Sequence, residues 1–404
     1  MDGPDGASRQ QRRPRPTGGG DHQPSTINHQ PVLSGARVDQ VLPNLSPGDA
    51  ASDTALAFGE MLAAAGADTA LWSSEIHPER ADRARRFDAA GLRRRAPDLV
   101  LLHYTTGSAV PAALGRTGLP YGVYFQNVTP PRYFLGVHDL LAGFAWRGLA
   151  ELPALLREAR LVLSPSSFSA AQLRAAGARE VALVPIPFDP AAHAAEADPA
   201  WLERFGDGRP NLLYVGRIAP NKRQDELLRA FHYYSRAAGR GRGARLLLVG
   251  APAAAPAFQA WLERAITTWG LEGVHLTGHV SDAARAACYR VASVYVSLSE
   301  HEGFGVPLIE AMHYRVPVVA RAAAAVDETL GDAGLLVRDA DPRRVAELIG
   351  MVVEDGPLRS AMVEAGGRRV VDFAPDRIAS RLVTAVAGAL RLGQPGSAPT
   401  EVNA

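Results

Sequence analysis

Residues 299–320 read SEHEGFGVPLIEAMHYRVPVVA and contain two glutamates, Glu302 and Glu310, that are separated by seven residues. The stretch follows a short apolar run at 294–298 and carries a Gly-Phe-Gly turn just before Pro307. Proline is favoured in the first turn of a helix, because the amide that it lacks would have had no partner there. The pattern therefore predicts a strand, a glycine-rich turn and a helix that begins close to the proline.

The glycine-rich turn between the two glutamates is suited to an anionic ligand. Gly303 and Gly305 have no Cβ, so the backbone can approach a ligand closely. The amides of Gly305 and Val306 would point out of the helix start, where the helix dipole favours a phosphate. Glu302 would then lie on one side of a diphosphate and Glu310 on the other, where carboxylates can accept hydrogen bonds from sugar hydroxyls. The alternative is an ordinary strand-to-helix turn with two solvated glutamates.

A second segment, VGRIAPNKRQDELLRAF at residues 215–231, also places charge after an apolar run. Arg217 and Lys222 lie between a predicted strand at 211–215 and a predicted helix at 224–237. Both cations could neutralise a diphosphate, the arginine through its planar fork and the lysine as a point charge. A single cation before a helix is usually a surface residue. The pair, in the same half of the chain as the glycine-rich turn, favours a functional role.

The remainder of the chain alternates short apolar runs with longer helical stretches. The runs predict strands at residues 37–42, 70–72, 98–103, 121–126, 160–164 and 181–185, and again at 211–215, 245–249, 274–277, 294–298 and 316–320. Apolar strands separated by helices are typical of parallel sheets that are covered on both faces. A polar interval at 189–210 separates the two series. We therefore predict an α/β fold of two doubly wound, Rossmann-like domains, with ligands beyond the carboxyl ends of the strands.

Composition limits the classes of function. The chain has 404 residues, 47% of them hydrophobic and 21% charged, and a net charge of +1, which argues against a nucleic-acid partner. The sequence contains no run of about 18 apolar residues, so we predict no membrane span. The single cysteine, Cys288, excludes an internal disulfide and fits a reducing compartment. We expect a cytoplasmic protein.

Several segments in a fixed order resemble a known family. The two segments above, with LLLVG at 246–250, GHVSDAARAACYRVASVYVSLSEHEGFGVPLIEAM at 278–312 and DETLGDAGLLV at 327–337, resemble the retaining glycosyltransferases of family 4. The resemblance is strong over residues 211–338 and weaker over 37–189. It implies a GT-B-type fold, in which two Rossmann-like domains face each other across a cleft, and a nucleotide diphosphate sugar as the donor.

The resemblance also implies a role for individual residues. Arg217 and Lys222 match the positions that hold the donor diphosphate, Glu302 the carboxylate that contacts the transferred sugar, and Glu310 the one that binds the ribose hydroxyls. The further positions that match donor-binding residues are Gly48, Gly216, His279, Val280, Gly303, Phe304, Gly305 and Val306. Among these, the base would be bound at the backbone around His279.

Candidate residues in the amino-terminal half carry weaker signals. Gly48 lies in a loop that resembles the family's glycine-rich loop, although a plain strand-to-helix connection is the alternative. His103, at the end of a predicted strand, matches a catalytic histidine that faces the donor sugar, and histidine titrates near neutral pH. The alternative is a packed histidine satisfied by the backbone. Asn127 and Arg132 could face the acceptor, and an Asx turn explains Asn127 equally well.

The resemblance implies the reaction as well. We expect transfer of a hexose from a UDP- or GDP-hexose to a glycan, lipid-linked or small-molecule acceptor, with retention of anomeric configuration. We expect no metal cofactor, because the cations and the helix start would balance the diphosphate charge. The alternatives are an inactive nucleotide-sugar-binding or partner subunit, an NAD-dependent oxidoreductase and a phosphate-loop ATPase. The last two lack their glycine-rich fingerprints.

Composition and the resemblance together predict the domain organisation. The predicted parts are a disordered tail at 1–36, an acceptor-side domain at 37–200, a nucleotide-sugar-binding domain at 201–375, a helix at 376–392 that packs back on the amino-terminal domain, and a disordered tail at 393–404.

The segment RADRARRFDAAGLRRRAP at residues 80–97 concentrates arginine in an otherwise balanced chain. We interpret it as a solvated face. The alternative is weak peripheral contact of residues 80–95 with acidic lipid, at the inner face of the membrane.

Overall fold

The computed structural model of the protein describes residues 32–237, 241, 243–251 and 255–391. The predicted tails at 1–31 and 393–404 therefore lie outside the described residues. Leu33 is buried, and its amide donates to the carbonyl of Ala65 at 2.9 Å. The expectation of a disordered tail up to residue 36 is wrong for this stretch, because the leucine is part of the core.

The amino-terminal domain contains a seven-stranded parallel sheet. Its strands are β1 (Val38–Leu45), β2 (Leu71–Ile76), β3 (Arg85–Arg86), β4 (Leu99–Tyr104), β5 (Tyr121–Phe125), β6 (Leu161–Ser164) and β7 (Ala182–Leu183), in the order β3-β2-β1-β4-β5-β6-β7. The helices are α1 (Ala50–Ala64), α2 (Ala89–Arg95), α3 (Val110–Gly115), α4 (Asp139–Glu158) and α5 (Ser167–Ala175). The chain then enters α6 (Pro199–Phe205), which packs on the carboxyl-terminal domain through Phe205. Residues of α2, α3 and α4 share one core cluster, and α1 belongs to the cluster on the opposite face. The central strands β4 and β5 are apolar because helices cover both of their faces.

The carboxyl-terminal domain repeats this architecture with six parallel strands. They are β8 (Asn211–Val215), β9 (Arg245–Val249), β10 (Val274–Gly278), β11 (Val294–Ser297), β12 (Val318–Arg321) and β13 (Gly334–Val337), in the order β10-β9-β8-β11-β12-β13. The helices are α7 (Gln224–Arg236), α8 (Pro256–Thr268), α9 (Asp282–Val291), α10 (Val306–His313), α11 (Val326–Leu330), α12 (Pro342–Glu354), α13 (Gly356–Val370) and α14 (Pro375–Arg391). The prediction of two doubly wound domains is confirmed.

The strand order places one topological switch point in each sheet. In the first sheet the direction of winding reverses between β1 and β4, and in the second between β8 and β11. Loops diverge from adjacent strands at such a point and leave a crevice at the carboxyl ends. The loops after β8 and β11 are those that carry the two segments on which the sequence prediction rests.

The last helix ties the two halves together. Ile378, Leu382 and Val386 of α14 are fully buried in the same core cluster as Phe58 and Leu62 of α1. Complete burial of such a side chain contributes about 1.5–3 kcal/mol, so this contact is substantial. The last helix of the described structure, α14, therefore packs on the amino-terminal domain.

The helices that the sequence prediction did not contain include α4 and α6. α4 has 20 residues, and its outward face exposes Leu140, Phe144 and Trp146 by 65%, 41% and 65%. Apolar side chains on both faces hide the helical period from a pattern search. The interval at 189–210, which we took for a polar linker, contains α6. Asp198 caps that helix and Phe205 anchors it in the core.

Candidate functional site

The loops after β8 and β11 are joined by hydrogen bonds at the second switch point. The amide of Glu300 donates to the carbonyl of Asn221 at 2.9 Å, and the Asn221 side chain donates to the carbonyl of His301 at 3.3 Å. Arg223 adds an ion pair with Glu300. The two segments that the sequence singled out therefore form one rim.

Lys222 and Glu302 meet across this rim. The distance from Lys222 Nζ to Glu302 Oε1 is 2.7 Å, and the two side chains are 16% and 15% exposed. The sequence interpretation assigned them to different parts of a donor, the diphosphate and the sugar, whereas here each neutralises the other. Lys222 is also the only lysine among the 404 residues.

Arg217 follows β8 and is exposed. Its carbonyl accepts a hydrogen bond from Gln224 Nε2 at 2.9 Å, which fixes the backbone while the guanidinium remains accessible. Gly216 has a φ of +151°, and a Cβ there would lie 2.7 Å from the Tyr214 hydroxyl. The glycine thus allows the chain to turn sharply out of the strand toward the rim.

The turn before α10 presents backbone rather than side chains. Gly305, with a φ of +101°, begins the helix, and no side chain caps the first-turn amides. Phe304 is buried and packs edge-on against Phe373 at 5.4 Å between ring centroids. Val306 is half-buried against the core cluster that contains Phe304 and Phe373. The first-turn amides of α10 have no side-chain cap, and amides at a helix start attract anions.

Glu310 is buried behind this turn. Its Oε2 accepts a hydrogen bond from the Tyr289 hydroxyl at 2.6 Å, and burial raises the pKa of that phenol well above its usual value. Its Oε1 lies 3.8 Å from His193 Nδ1, and burial lowers the pKa of this histidine. One carboxylate oxygen is therefore engaged, and the other has no close hydrogen-bond partner among the described residues.

The other candidate donor residues surround the two sheets' carboxyl ends. His279 is exposed directly after β10, and Val280 packs against the core. Gly48, with a φ of +68°, is exposed beside Asp49, the N-cap of α1. A Cβ on Gly48 would meet nothing within 4 Å, so only its φ requires glycine.

His103 is a packed histidine. It is fully buried, Phe58 and Tyr124 contact its ring, and its Nε2 lies 2.8 Å from Gln40 Oε1. Burial lowers its pKa to about 3, so it is neutral near pH 7. The expectation that it senses charge near neutral pH is wrong, and its partner is a side chain rather than the backbone.

Gly303 contacts the opposite domain. A Cβ on this residue would lie 2.6 Å from Asn127 Cβ and 2.9 Å from the carbonyl oxygen of Gln126. Its own carbonyl accepts hydrogen bonds from the hydroxyls of Ser166 at 2.8 Å and Ser169 at 3.4 Å. In this arrangement glycine is required by the approach of the amino-terminal domain, whereas we had expected the approach of a ligand.

Asn127 and His301 join the domains beside that contact. Asn127 Nδ2 donates to Ser169 Oγ at 2.8 Å and to Gln172 Oε1 at 2.9 Å, which leaves Oδ1 to accept from His301 Nε2 at 2.9 Å. Asn127 has a φ of +77°, a conformation that asparagine tolerates. Its side chain serves the domain contact, and neither an Asx turn nor the acceptor accounts for it. Sequence reasoning missed His301 because its partner is 174 residues away.

We expect this domain contact to weaken in acid. Burial lowers the pKa of His301 to about 4; Glu302 opposes this by a smaller amount, and Lys222 and Arg132 act in the same direction as burial. An exposed histidine, with a pKa near 6.5, binds its proton first as the pH falls. Protonation therefore favours separation of the domains, and the contact loses stability as the pH falls from about 6.5 toward about 4. The radius of gyration from small-angle scattering should be larger at pH 5 than at pH 7.5.

The matched variants for this experiment are His301→Gln and His279→Gln. Glutamine keeps an N–H donor at position 301 but does not titrate, so the pH response should shrink there. It should persist in the second variant, because His279 is exposed. An equal response in both variants would contradict the assignment to His301.

The described residues contain neither a metal-binding cluster nor a helix that could cross a membrane. No group of three or more His, Cys, Asp or Glu side chains in these ranges is arranged to hold a metal ion. None of the described helices combines the length and apolar character that crossing a membrane requires.

Residues 209–355 match the family model described as "Glycosyl transferases group 1". Over 166 residues the chain is 31% identical to alpha-D-kanosaminyltransferase of Streptomyces kanamyceticus, a match that covers 40% of this chain and 41% of the relative. Over 175 residues it is 33% identical to D-inositol 3-phosphate glycosyltransferase of Kineococcus radiotolerans, covering 40% of each. These matches thus span well under half of the relatives' lengths.

Solved structures align over most of the chain. HepE of Anabaena in complex with UDP-glucose superposes with a TM-score of 0.70 at 17% identity, covering 87% of this chain and 99% of that one. Sucrose-phosphate synthase of Thermosynechococcus elongatus gives 0.69 at 20% identity, covering 88% and 100%. The chain therefore has the GT-B-type fold, and the segment that matches the glycosyl transferases group 1 model contains the rim of charged residues at the second switch point.

Proposed function

We propose that the protein is a glycosyltransferase that moves a hexose from a nucleotide diphosphate sugar, UDP- or GDP-linked, to a glycan, lipid-linked or small-molecule acceptor. The observation that carries the proposal is the convergence of Arg217, Lys222, Glu302 and the uncapped start of α10 at one switch point. The match of residues 209–355 to the glycosyl transferases group 1 model supports it.

The cations and the helix start would stabilise the leaving diphosphate. Arg217 is accessible, and Lys222 can exchange the Glu302 carboxylate for a phosphate oxygen. The exchange releases Glu302 to accept hydrogen bonds from the sugar. Charge that is fixed in place before the reaction lowers the barrier without reorganisation, and one such donor is commonly worth about 10²–10³-fold in turnover. We propose that this charge replaces a metal ion.

Glu310 would hold the ribose. Tyr289 fixes one carboxylate oxygen at 2.6 Å, and the other points toward His193 at 3.8 Å, too far for a hydrogen bond. That second oxygen could accept from a ribose hydroxyl. The buried tyrosine would then orient the carboxylate, while the backbone around His279 and Val280 would border the base.

We further propose retention, as in glycosyltransferase family 4. The acceptor oxygen would attack the anomeric carbon on the face from which the diphosphate departs. The bond between the anomeric carbon and the phosphate oxygen breaks, and that phosphate takes the proton of the acceptor hydroxyl. Arg217 and Lys222 would hold the phosphate on this face during the transfer.

The place of the reaction is part of the same proposal. We place it in the cytoplasm, because the single cysteine, Cys288, suits a reducing compartment. We also propose that the protein makes weak peripheral contact with the inner face of the membrane. The exposed Leu140, Phe144 and Trp146 of α4 support it, since α4 covers the same sheet face as α2. Sedimentation with vesicles of phosphatidylcholine, with and without phosphatidylglycerol, tests this contact.

Thermal unfolding with a panel of nucleotides tests the donor site. We expect one of UDP, GDP or ADP, or a corresponding sugar, to stabilise the protein by about 2.7 kcal/mol at 100 times its dissociation constant. A stabilisation of this size moves the midpoint by several degrees. The shift should survive EDTA and disappear in an Arg217→Ala/Lys222→Ala variant. If no nucleotide or nucleotide sugar shifts the midpoint, the proposal is wrong.

A further inference from the structure

An open cavity of about 590 Å³ lies at the β3 edge of the amino-terminal sheet. Its lining residues are Arg37, Trp72, Arg85, Arg86, Asp88, Gly91, Arg94 and Arg95, so five of the eight are arginines. They come from the first three strands, α2 and the residues that adjoin them. The cavity is therefore built by one domain alone, separate from the rim around β8 and β11.

Two of the arginines are held by aspartates, Arg95 by a buried one and Arg37 by an exposed one. Asp39 is fully buried and accepts hydrogen bonds from Arg95 Nε at 2.8 Å and from Trp72 Nε1 at 2.9 Å. Arg95 also pairs with Asp68 at 2.6 Å, and Arg37 pairs with the same aspartate at 3.0 Å. Arg95 is thus an anchor of the core, which corrects our interpretation of the whole cluster as a solvated face. These contacts fix one wall of the cavity before any ligand arrives.

The other arginines have little to neutralise them. Arg94 lies 3.5 Å from Asp88, and because both side chains are more than half exposed, this pair is weak. Arg85 stacks over the Trp72 ring at 5.6 Å. In the ranges that the structure describes, neither Arg85 nor Arg86 pairs with a carboxylate. The cavity therefore carries an excess of positive charge in a chain whose net charge is only +1.

We propose that this cavity binds a phosphate-bearing anion. Guanidinium forks match phosphate oxygens in pairs, and several of them around one space are suited to more than one phosphate group. Charged side chains on an edge strand also prevent sheet-to-sheet pairing, which would account for Arg85 and Arg86. Protection of the edge strand would not account for Arg37, Arg94 and Arg95, which lie outside that strand and line the same cavity. The phosphates could belong to a soluble molecule or to a lipid headgroup.

Titration with inorganic tripolyphosphate tests the soluble ligand. The reporter is the indole N–H resonance of Trp72, because that group donates to Asp39 in the cavity wall. It can be assigned among the five tryptophans with Trp72→Phe. We expect the resonance to shift on titration, with an affinity about 100-fold weaker in Arg85→Ala/Arg86→Ala, since each of the two arginines removes a charged hydrogen bond that is worth about tenfold in affinity. Neither residue holds the fold through a carboxylate contact in the described structure.

The matched control removes two charges elsewhere. Arg359→Ala/Arg368→Ala alters two exposed arginines of α13 and should bind like the wild type. A second arm measures sedimentation with vesicles of phosphatidylcholine, with and without phosphatidylglycerol. A Trp72 shift that the Arg85→Ala/Arg86→Ala variant weakens identifies a soluble phosphate. Binding to anionic vesicles alone, weakened by the same variant, identifies a headgroup. If neither probe separates this variant from the charge control, the cavity is not a phosphate site.

Discussion

Replacing Arg217 by alanine is expected to lower kcat/KM for the sugar donor by about 10²–10³-fold, and Lys222→Ala by a similar factor. Both changes remove a positive charge that would oppose the charge developing on the leaving diphosphate. Lys222→Ala also leaves Glu302, which is only 15% exposed, without its partner at 2.7 Å. The second variant should therefore lose some stability as well. Steady-state transfer with the donor found in the nucleotide panel measures the first effect, and thermal unfolding the second.

The matched control is Arg264→Ala, which removes an exposed charge from α8 in the same domain. Its kcat/KM should stay within twofold of the wild type. Activity within threefold of wild type in both Arg217→Ala and Lys222→Ala would overturn the diphosphate assignment. Lys222→Arg is informative because arginine keeps the charge but changes its shape, so a partial recovery would show that position matters as well as charge.

Gly303→Ala is expected to lower kcat by about 10²-fold, because a misplacement of about 1 Å at reacting groups can have that cost. The new methyl group would lie 2.6 Å from Asn127 Cβ and 2.9 Å from the Gln126 carbonyl, so one domain must move away from the other. The movement would shift Glu302, the residue that precedes Gly303, away from the sugar. Because the contact lies between domains, we expect each domain's fold and the affinity for the nucleotide alone to change little.

The control for this substitution is Gly388→Ala in α14. A Cβ there meets nothing within 4 Å, and alanine in place of a helical glycine stabilises by about 0.4–1 kcal/mol. Transfer rate, nucleotide affinity and radius of gyration should be measured for both variants. A normal rate in Gly303→Ala would show that the domains do not meet at this residue during transfer.

Most strands, though not β3 or β13, and the two segments of the charged rim could be predicted from sequence because their signals are local. The apolar runs at 211–215 and 294–298 differ from β8 and β11 by at most one residue. β12 begins two residues later than predicted. The amide of Val316 bonds back to Ala311 at the end of α10, and Pro317 has no amide to offer a strand.

Features that depend on distant partners could not be predicted. The burial of His103 depends on packing against Phe58 and Tyr124, and no local pattern reports that. The domain contact of His301 depends on Asn127 in the same way. The arginine cluster at residues 80–97 contains residues whose role is predictable from the local sequence and one whose role depends on a distant partner. Its exposed members follow from composition, whereas the anchoring role of Arg95 follows only from the buried Asp39.

The solitary lysine has a chemical consequence. Lys222 is the only lysine, and the other 42 of the 43 lysine and arginine residues are arginines. The proposed donor site therefore holds the one side-chain amine in the chain. Acetylation of that amine would remove its charge, and no other side chain could take up the modification in its place. The ion pair with Glu302 at 2.7 Å covers this amine. A reagent selective for amines would therefore label the site slowly, and the labelling rate would report when Lys222 and Glu302 separate.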